Sequence, residues 1–199
     1  MSRTFTLLAG VSAGVIIFGL SRLPLHGQDQ PLPTNVPDGV ISRIRALRGL
    51  YASPVPLNLD GKNPVQVGLG SYIVNGPGGC NDCHTNPAFA PGGSPYMGQP
   101  VKINVSQYLT GGKQFGPFTS RNLTPNPAEN NEPAGLDADE FRRAFQHGED
   151  IDRKHPQLGP LLQIMPWPSY SNMTSAEVDA VYAYLQSIPA LPDNPNPAP

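Results

Sequence analysis

The most regular hydrophobic pattern lies close to the C-terminus, where apolar residues recur every three or four positions. Thr174 and Glu177 precede this run with the spacing of a capping box, and Pro189 follows it. The apolar positions are Val178, Val181, Tyr182 and Leu185. The pattern predicts a helix that begins after Thr174 and ends before Pro189.

A second helix of the same design is predicted in LDADEFRRAFQHGED, residues 136–150. Asp137 and Glu140 form a pair that resembles a capping box, and Gly148 is placed to end the helix. One face of this helix is apolar and carries Phe141, Ala144 and Phe145.

A third helix is predicted from Pro64 to about Asn75, since Asn63 is a good N-cap and Pro64 suits the first helical position. Gly76 is the expected C-cap. Two glycines inside this helix, Gly68 and Gly70, each cost roughly 1 kcal/mol relative to alanine. Their presence predicts that another helix approaches closely.

A short amphipathic helix is predicted in VISRIRALRGLY, residues 40–51. Its apolar positions are Val40, Ile41, Ile44, Leu47 and Tyr51. Its arginines, Arg43, Arg45 and Arg48, are expected to form a solvated face, with a partner surface as the alternative. Residues 85–135 are rich in Gly, Pro and Asn, and only KINVSQYLTGG, residues 102–112, alternates enough to predict a short strand or hairpin arm.

The first 27 residues have the design of an export signal, with Arg3 followed by an uncharged, mostly apolar run over residues 5–20. The Gly19-Leu20-Ser21 cleavage motif is weak and the run is slightly short for a membrane span. A cleaved signal peptide and a retained anchor both stay open, with the anchor favoured. Residues 28–62 are interpreted as a linker containing the short helix, residues 63–190 as the folded domain, and residues 191–199 as an extended, mobile tail.

Composition narrows the choice of partners. The net charge is −2 and only 14% of residues are charged, so nucleic acid is not expected as a partner. The chain has 25 prolines and 21 glycines but is still 38% hydrophobic. This balance indicates a loop-rich folded domain between less structured ends.

Both cysteines of the chain lie in one short motif, CNDCH, which is Cys80 to His84. A disulfide between them would close a very small loop and stabilise little. A thioredoxin-like dithiol belongs beside a βαβ pattern, which this sequence lacks. Structural zinc needs four ligands, and this motif offers three at most.

Covalent haem c uses both cysteines and the histidine of the motif. Two thiols at this spacing form thioethers to the two haem vinyl groups, and the histidine that follows them serves as the proximal iron ligand. We therefore expect one haem c bound through Cys80 and Cys83, with His84 on the iron. Covalent attachment also retains the cofactor outside the cytoplasm.

The sixth iron ligand is predicted to be Met165, which lies in the proline-rich stretch LLQIMPWPSY before the last helix. Four other residues are rivals: Met97, Met173, His147 and His155. Methionine ligation would raise the reduction potential and close the iron to other ligands.

The chain resembles class I c-type cytochromes over residues 64–190. The resemblance is carried by Gly68 and Tyr72 before CNDCH, by MPWPSY, and by the final VYAYLQSI helix. GPFTSRNLTPN, GLDADEFRRAFQHG and MPWPSYSNMT resemble, more narrowly, the haem modules in cytochrome subunits of bacterial membrane-associated dehydrogenases. The segment 85–135 is longer than in the smallest family members, and we expect it to cover a haem edge or to form the partner surface.

The resemblance implies a mainly α fold around the haem, in which the first and last helices of the domain cross with Gly68 against Val181 and Tyr184. It also implies that Arg121 and Asn122 lie near the haem propionates. Trp167 and Tyr170 are expected at the haem edge.

The expected function is one-electron transfer on the periplasmic side of the inner membrane, without catalysis at the iron. Redox protein partners are expected: a dehydrogenase, a respiratory complex or a terminal oxidase. The membrane is a partner if the N-terminal segment is retained. The alternative is a haem enzyme or gas sensor with an open or labile sixth site, where His147, His155 or Tyr170 would assist a bound ligand.

Overall fold

The computed structural model describes residues 39–153 and 156–195. The predicted signal or anchor, most of the linker, His155 and the last four residues lie outside these ranges. All described residues belong to one compact unit. None of the helices in the described ranges is long and apolar enough to cross a bilayer.

The described ranges contain six α-helices and four two-residue strands. The helices are α1 (Val40–Ala52), α2 (Pro64–Val74), α3 (Cys80–His84), α4 (Ala138–His147), α5 (Trp167–Tyr170) and α6 (Ser175–Leu185). The strands pair as two antiparallel hairpins, β1 (Gln114–Phe115) with β2 (Phe118–Thr119) and β3 (Pro125–Asn126) with β4 (Glu132–Pro133). The structure is thus mixed, and the predicted mainly α class holds only in the coarse sense that helices supply most of the regular structure.

Helices α4 and α6 begin at the capping residues that the sequence predicted. The Asp137 side chain accepts hydrogen bonds from the first turn of α4, and Glu140 completes the capping box. Thr174 and Glu177 form the same arrangement at α6. Gly148 ends α4 with a left-handed φ of 69°. These capping residues are sufficient to predict the helix ends, because each one satisfies backbone groups that a helix end leaves without partners.

The predicted partner of Gly68 is wrong. A Cβ on Gly68 would overlap the backbone of Ala46 in α1, whereas a Cβ on Gly70 would overlap the carbonyl of Ala180 in α6. Positions two apart lie about 200° apart around a helix, so the two glycines face opposite neighbours. Helix α2 is therefore packed between α1 and α6, and Gly70 is the glycine that approaches Tyr184.

Helix α1 is part of the packed unit, although the sequence placed it in a linker. A Cβ on Gly49 would overlap the backbone of Gly68, and the Ser71 hydroxyl donates to the Gly49 carbonyl at 2.6 Å. Helix α2 ends at Val74 with Asn75 as its C-cap, one residue before the predicted cap.

The predicted strand at 102–112 is wrong. Only Ile103 pairs, in an isolated bridge with Phe89, and Val105–Gln107 forms a 3₁₀ turn. Tyr108 then enters the core, where its hydroxyl donates to Asn75 Oδ1 at 2.6 Å. Burial of Tyr108 and Leu109 decides the local conformation and overrides the weak alternation of the segment.

The tail was predicted to be extended and mobile, but its described part is tied to the domain. The Leu191 carbonyl accepts hydrogen bonds from the side chains of Asn122 and Thr124. Asn194 Nδ2 donates to the Asn86 carbonyl at 2.5 Å. Side-chain partners of this kind leave no periodic signal in a sequence.

Candidate functional site

Helix α3 places the cysteine motif in one short turn of helix. Gly79 precedes it with a left-handed φ of 59°, and Thr85 follows in extended conformation. Cys80, Cys83 and His84 all lie on this five-residue element. One helical turn therefore brings the three side chains of the motif to the same region of the molecule.

The ring of His84 has a defined tautomer. Its Nδ1 lies 2.7 Å from the carbonyl oxygen of Arg121, which can only accept a hydrogen bond. Nδ1 therefore carries the proton, and Nε2 keeps the lone pair that a metal needs. Burial lowers the pKa of His84, and the Arg121 charge acts in the same direction, against the opposing effect of the carbonyl.

The segment 109–121 holds the C-terminal end of α3 at three points. Besides the Arg121 carbonyl, Gly111 N donates to the His84 carbonyl at 2.7 Å, and Leu109 N donates to the Thr85 hydroxyl at 2.9 Å. Gly111 has a φ of 74°, and a Cβ there would overlap the backbone of Ser120 and Arg121. Part of the long 85–135 segment thus positions His84.

Cys80 and Cys83 do not form a disulfide with each other. Burial raises the pKa of Cys80 to about 12, and repulsion from Cys83 adds to the effect. Burial also raises the pKa of Cys83, although the Lys113 charge opposes it. A redox dithiol needs a lowered thiol pKa, so these surroundings disfavour that alternative.

Zinc is disfavoured by the arrangement of side chains. Within residues 39–153 and 156–195, no three His, Cys, Asp or Glu side chains group closely enough to hold a metal ion. A structural zinc site would require four such ligands.

A cavity of about 1150 Å³ opens beside α3. Cys80, Cys83, His84 and Met165 all line it. Its apolar wall includes residues from α4, α6 and the loops before α4: Phe141, Phe145, Val181, Leu185, Leu123 and Leu136. This volume is slightly larger than the ~300–1000 Å³ of ordinary ligand pockets.

Met165 is the predicted sixth ligand that the structure brings to the cavity. It is half-buried and packs against the core. Met97 is 75% exposed, and neither it nor Met173 or His147 is among the lining residues described. His155 lies outside the described residues.

Arg121 and Asn122 line the cavity but already have protein partners. The Arg121 guanidinium donates to the Ala134 carbonyl at 2.9 Å and forms an ion pair with Asp152. Asn122 Nδ2 donates to the Leu191 carbonyl at 2.9 Å. A contact between a haem propionate and either side chain would add to these hydrogen bonds and this ion pair, or would replace them.

Tyr170 lines the cavity, whereas Trp167 is not among its described lining residues. The Tyr170 hydroxyl donates to the Gly78 carbonyl at 2.7 Å, and burial raises its pKa to about 12. The Trp167 indole packs on Gly148, and its Nε1 donates to the Leu162 carbonyl at 3.2 Å. Trp167 therefore supports the loop that carries Met165.

Comparisons with protein-family models, curated proteins and solved structures find no match to this chain. The resemblance to class I c-type cytochromes stays a prediction, and the site is interpreted from its own geometry.

The structure adds residues and contacts to the site that the sequence did not assign to it. Phe141 and Phe145 were recognised as an apolar helix face, and the structure adds that this face forms a cavity wall. Phe145 also stacks on Tyr170 with 4.6 Å between ring centroids. The backbone carbonyl of Arg121 and residues 190–194 gave no signal, because backbone acceptors and irregular segments have no characteristic residue pattern.

Proposed function

We propose that the chain binds one haem c through thioethers to Cys80 and Cys83, that His84 and Met165 would be the ligands of its iron, and that it transfers electrons. One observation carries this proposal. A single cavity collects both thiols, a histidine with its Nε2 lone pair available, and one of the candidate methionines. This donor set matches the chemistry of a haem c site with His/Met ligation.

The cavity also fits a macrocycle in character. Its volume of about 1150 Å³ is ample, and the side of α4 that carries Phe141 and Phe145 supplies flat apolar surface. When bound, haem supplies one-electron chemistry by cycling its iron between Fe(III) and Fe(II).

The residues around the site favour a fixed ligand set. His84 is oriented by the Arg121 carbonyl, and the loop with Met165 is closed by the hydrogen bond from Trp167 N to the Met165 carbonyl at 2.8 Å. These hydrogen bonds hold the ring of His84 and the backbone of Met165, so we expect both ligands to move little when the charge of the metal changes. That property suits electron transfer better than binding of an exogenous ligand.

The charge around the cavity indicates the kind of redox partner. Six carboxylates are among its described lining residues, against a single guanidinium, Arg121. The carboxylates belong to Asp82, Glu129, Glu149, Asp150, Asp152 and Asp193. We expect a protein partner with a basic docking surface, since opposite charges steer association.

The family and location belong to the same proposal. The close approach of α2 to α6 at Gly70 and Tyr184 supports a class I c-type cytochrome fold. The export-type N-terminus supports a place on the periplasmic side of the inner membrane, with a dehydrogenase or another respiratory assembly as partner.

The test is the visible spectrum of the haem-loaded protein, compared between the parent, Met165→Ala and the matched control Met97→Ala. In Met165→Ala we expect loss of the weak far-red band from sulfur to ferric iron, and new binding of carbon monoxide to the reduced protein. Met97→Ala should behave as the parent, because Met97 is exposed and is not among the cavity residues described.

Two results would contradict this proposal, the first its assignment of the sixth ligand and the second its assignment of electron transfer. Loss of the band in Met97→Ala alone would move the ligand to the 85–135 segment. Rapid carbon monoxide binding by the reduced parent at neutral pH would instead favour a haem enzyme or gas sensor with an open sixth site.

A further inference from the structure

Helix α1 has an apolar stripe that faces away from α2. Ile44, Leu47 and Tyr51 follow one another at helical spacing and are 51%, 57% and 90% exposed. Together with Arg48 and Ala52 they line a shallow groove. Ala46 and Gly49, on the opposite side of the helix, are buried against α2. The exposed stripe is therefore additional to the face that builds the core.

The charge of α1 is of one sign only. The helix contains three arginines and no acidic residue, although the whole chain carries a net charge of −2. Arg45 lies over the Tyr72 ring at 5.9 Å. Arg43 and Arg48 have exposed side chains near the apolar stripe. Apolar residues flanked by arginines are typical of helices that lie in the interface of an anionic membrane.

The position of α1 in the chain also favours contact with a membrane. It is the first described element after the predicted export segment, which ends at residue 27. The eleven linker residues 28–38 reach at most ~40 Å when fully extended. A retained anchor would therefore limit the distance between α1 and the lipid headgroups to the reach of this linker.

We propose that α1 docks on the periplasmic surface of an anionic lipid bilayer. Ile44, Leu47 and Tyr51 enter the interfacial layer, and Arg43 and Arg48 contact the headgroups. No residue of α1 is among the described residues that line the cavity, so the docking face and the cavity are formed by different residues. The inference rests on the proposed periplasmic location of the chain and does not depend on electron transfer.

The test uses the full chain reconstituted in nanodiscs of phosphatidylcholine, with and without phosphatidylglycerol. Iodination by lactoperoxidase reports which tyrosines an external enzyme reaches, and Tyr96, which is 81% exposed on another segment, serves as internal reference. We expect Tyr51 to be iodinated much more slowly relative to Tyr96 in the anionic discs than in detergent without lipid.

Arg48→Gln should lower the ratio of docked to undocked protein in the anionic discs about fivefold, which corresponds to about 1 kcal/mol. Lys102→Gln, which removes an exposed positive charge on a different segment, should leave the ratio unchanged. Circular dichroism of each variant confirms that it is folded.

Two results would overturn the proposal. One is a ratio of Tyr51 to Tyr96 iodination that is the same in both kinds of disc and in detergent. The other is protection of Tyr51 without lipid that grows with protein concentration, because a second copy of the chain would then cover this face.

Discussion

At the scale of single residues, buried phenols make stability depend on alkaline pH. Burial raises the pKa of Tyr170 and Tyr182 to about 12 and raises that of Tyr108 as well. At Tyr182 the carboxylates of Glu132, Asp137 and Glu140 add to the effect. Because the folded state favours the neutral phenol, the stability that these tyrosines contribute is fully present below pH 10 and decreases as pH rises towards 12.

Replacing Tyr182 with phenylalanine should weaken this dependence. The variant loses the hydrogen bond to the Leu136 carbonyl, which costs about 1 kcal/mol at neutral pH. Between pH 10 and 12, however, its free energy of unfolding should fall less than that of the parent, since one raised pKa is absent. Urea unfolding followed by circular dichroism at neutral and alkaline pH measures both effects.

The control for this comparison is Tyr96→Phe. Tyr96 is exposed, so its replacement should leave the alkaline loss as large as in the parent. An equal alkaline loss in Tyr182→Phe and in the parent would show that the Tyr182 phenol does not contribute.

At the scale of elements, the packing of α2 between α1 and α6 depends on glycine. A Cβ at Gly70 would overlap the Ala180 carbonyl and approach the Cβ of Tyr184. Gly70→Ala should therefore destabilise the fold by about 1–3 kcal/mol, because the two helices must separate. The better helix propensity of alanine opposes this by at most ~1 kcal/mol.

Chemical unfolding of the parent, Gly70→Ala and the control Val65→Ala measures the free energy of unfolding of each. Val65 lies on the same helix but is exposed, so its replacement should change the free energy of unfolding by no more than about 0.5 kcal/mol. A Gly70→Ala variant as stable as the parent would mean that α2 and α6 do not cross as closely as described.

The elements also show which parts of the fold a sequence can predict. Helices α2, α4 and α6 carry their caps and their periodic residues within a dozen positions, and all three were predicted. The helix that packs on Gly68 was predicted wrongly, because a glycine indicates that another helix approaches closely but does not indicate which one. The segment 102–112 was misassigned because contacts with distant residues decide its conformation.

At the scale of the whole molecule, the candidate site combines parts that are far apart in the chain. The thiols and His84 come from one motif, and their chemistry was predicted from residue type and spacing alone. The Arg121 carbonyl, Met165 and the tail reach the same cavity from segments up to about 110 positions away. Spacing along the chain could not place these groups, and only the fold brings them together.

Whether the chain carries covalent haem c is tested by the mass of the intact chain after export and maturation in a host that attaches haem c. We predict a mass increased by one haem, which acid–acetone extraction does not remove, and no increase in the double variant Cys80→Ala/Cys83→Ala. A parent chain that keeps two unmodified cysteines, or that releases its haem on extraction, would show that this cavity does not hold covalent haem c.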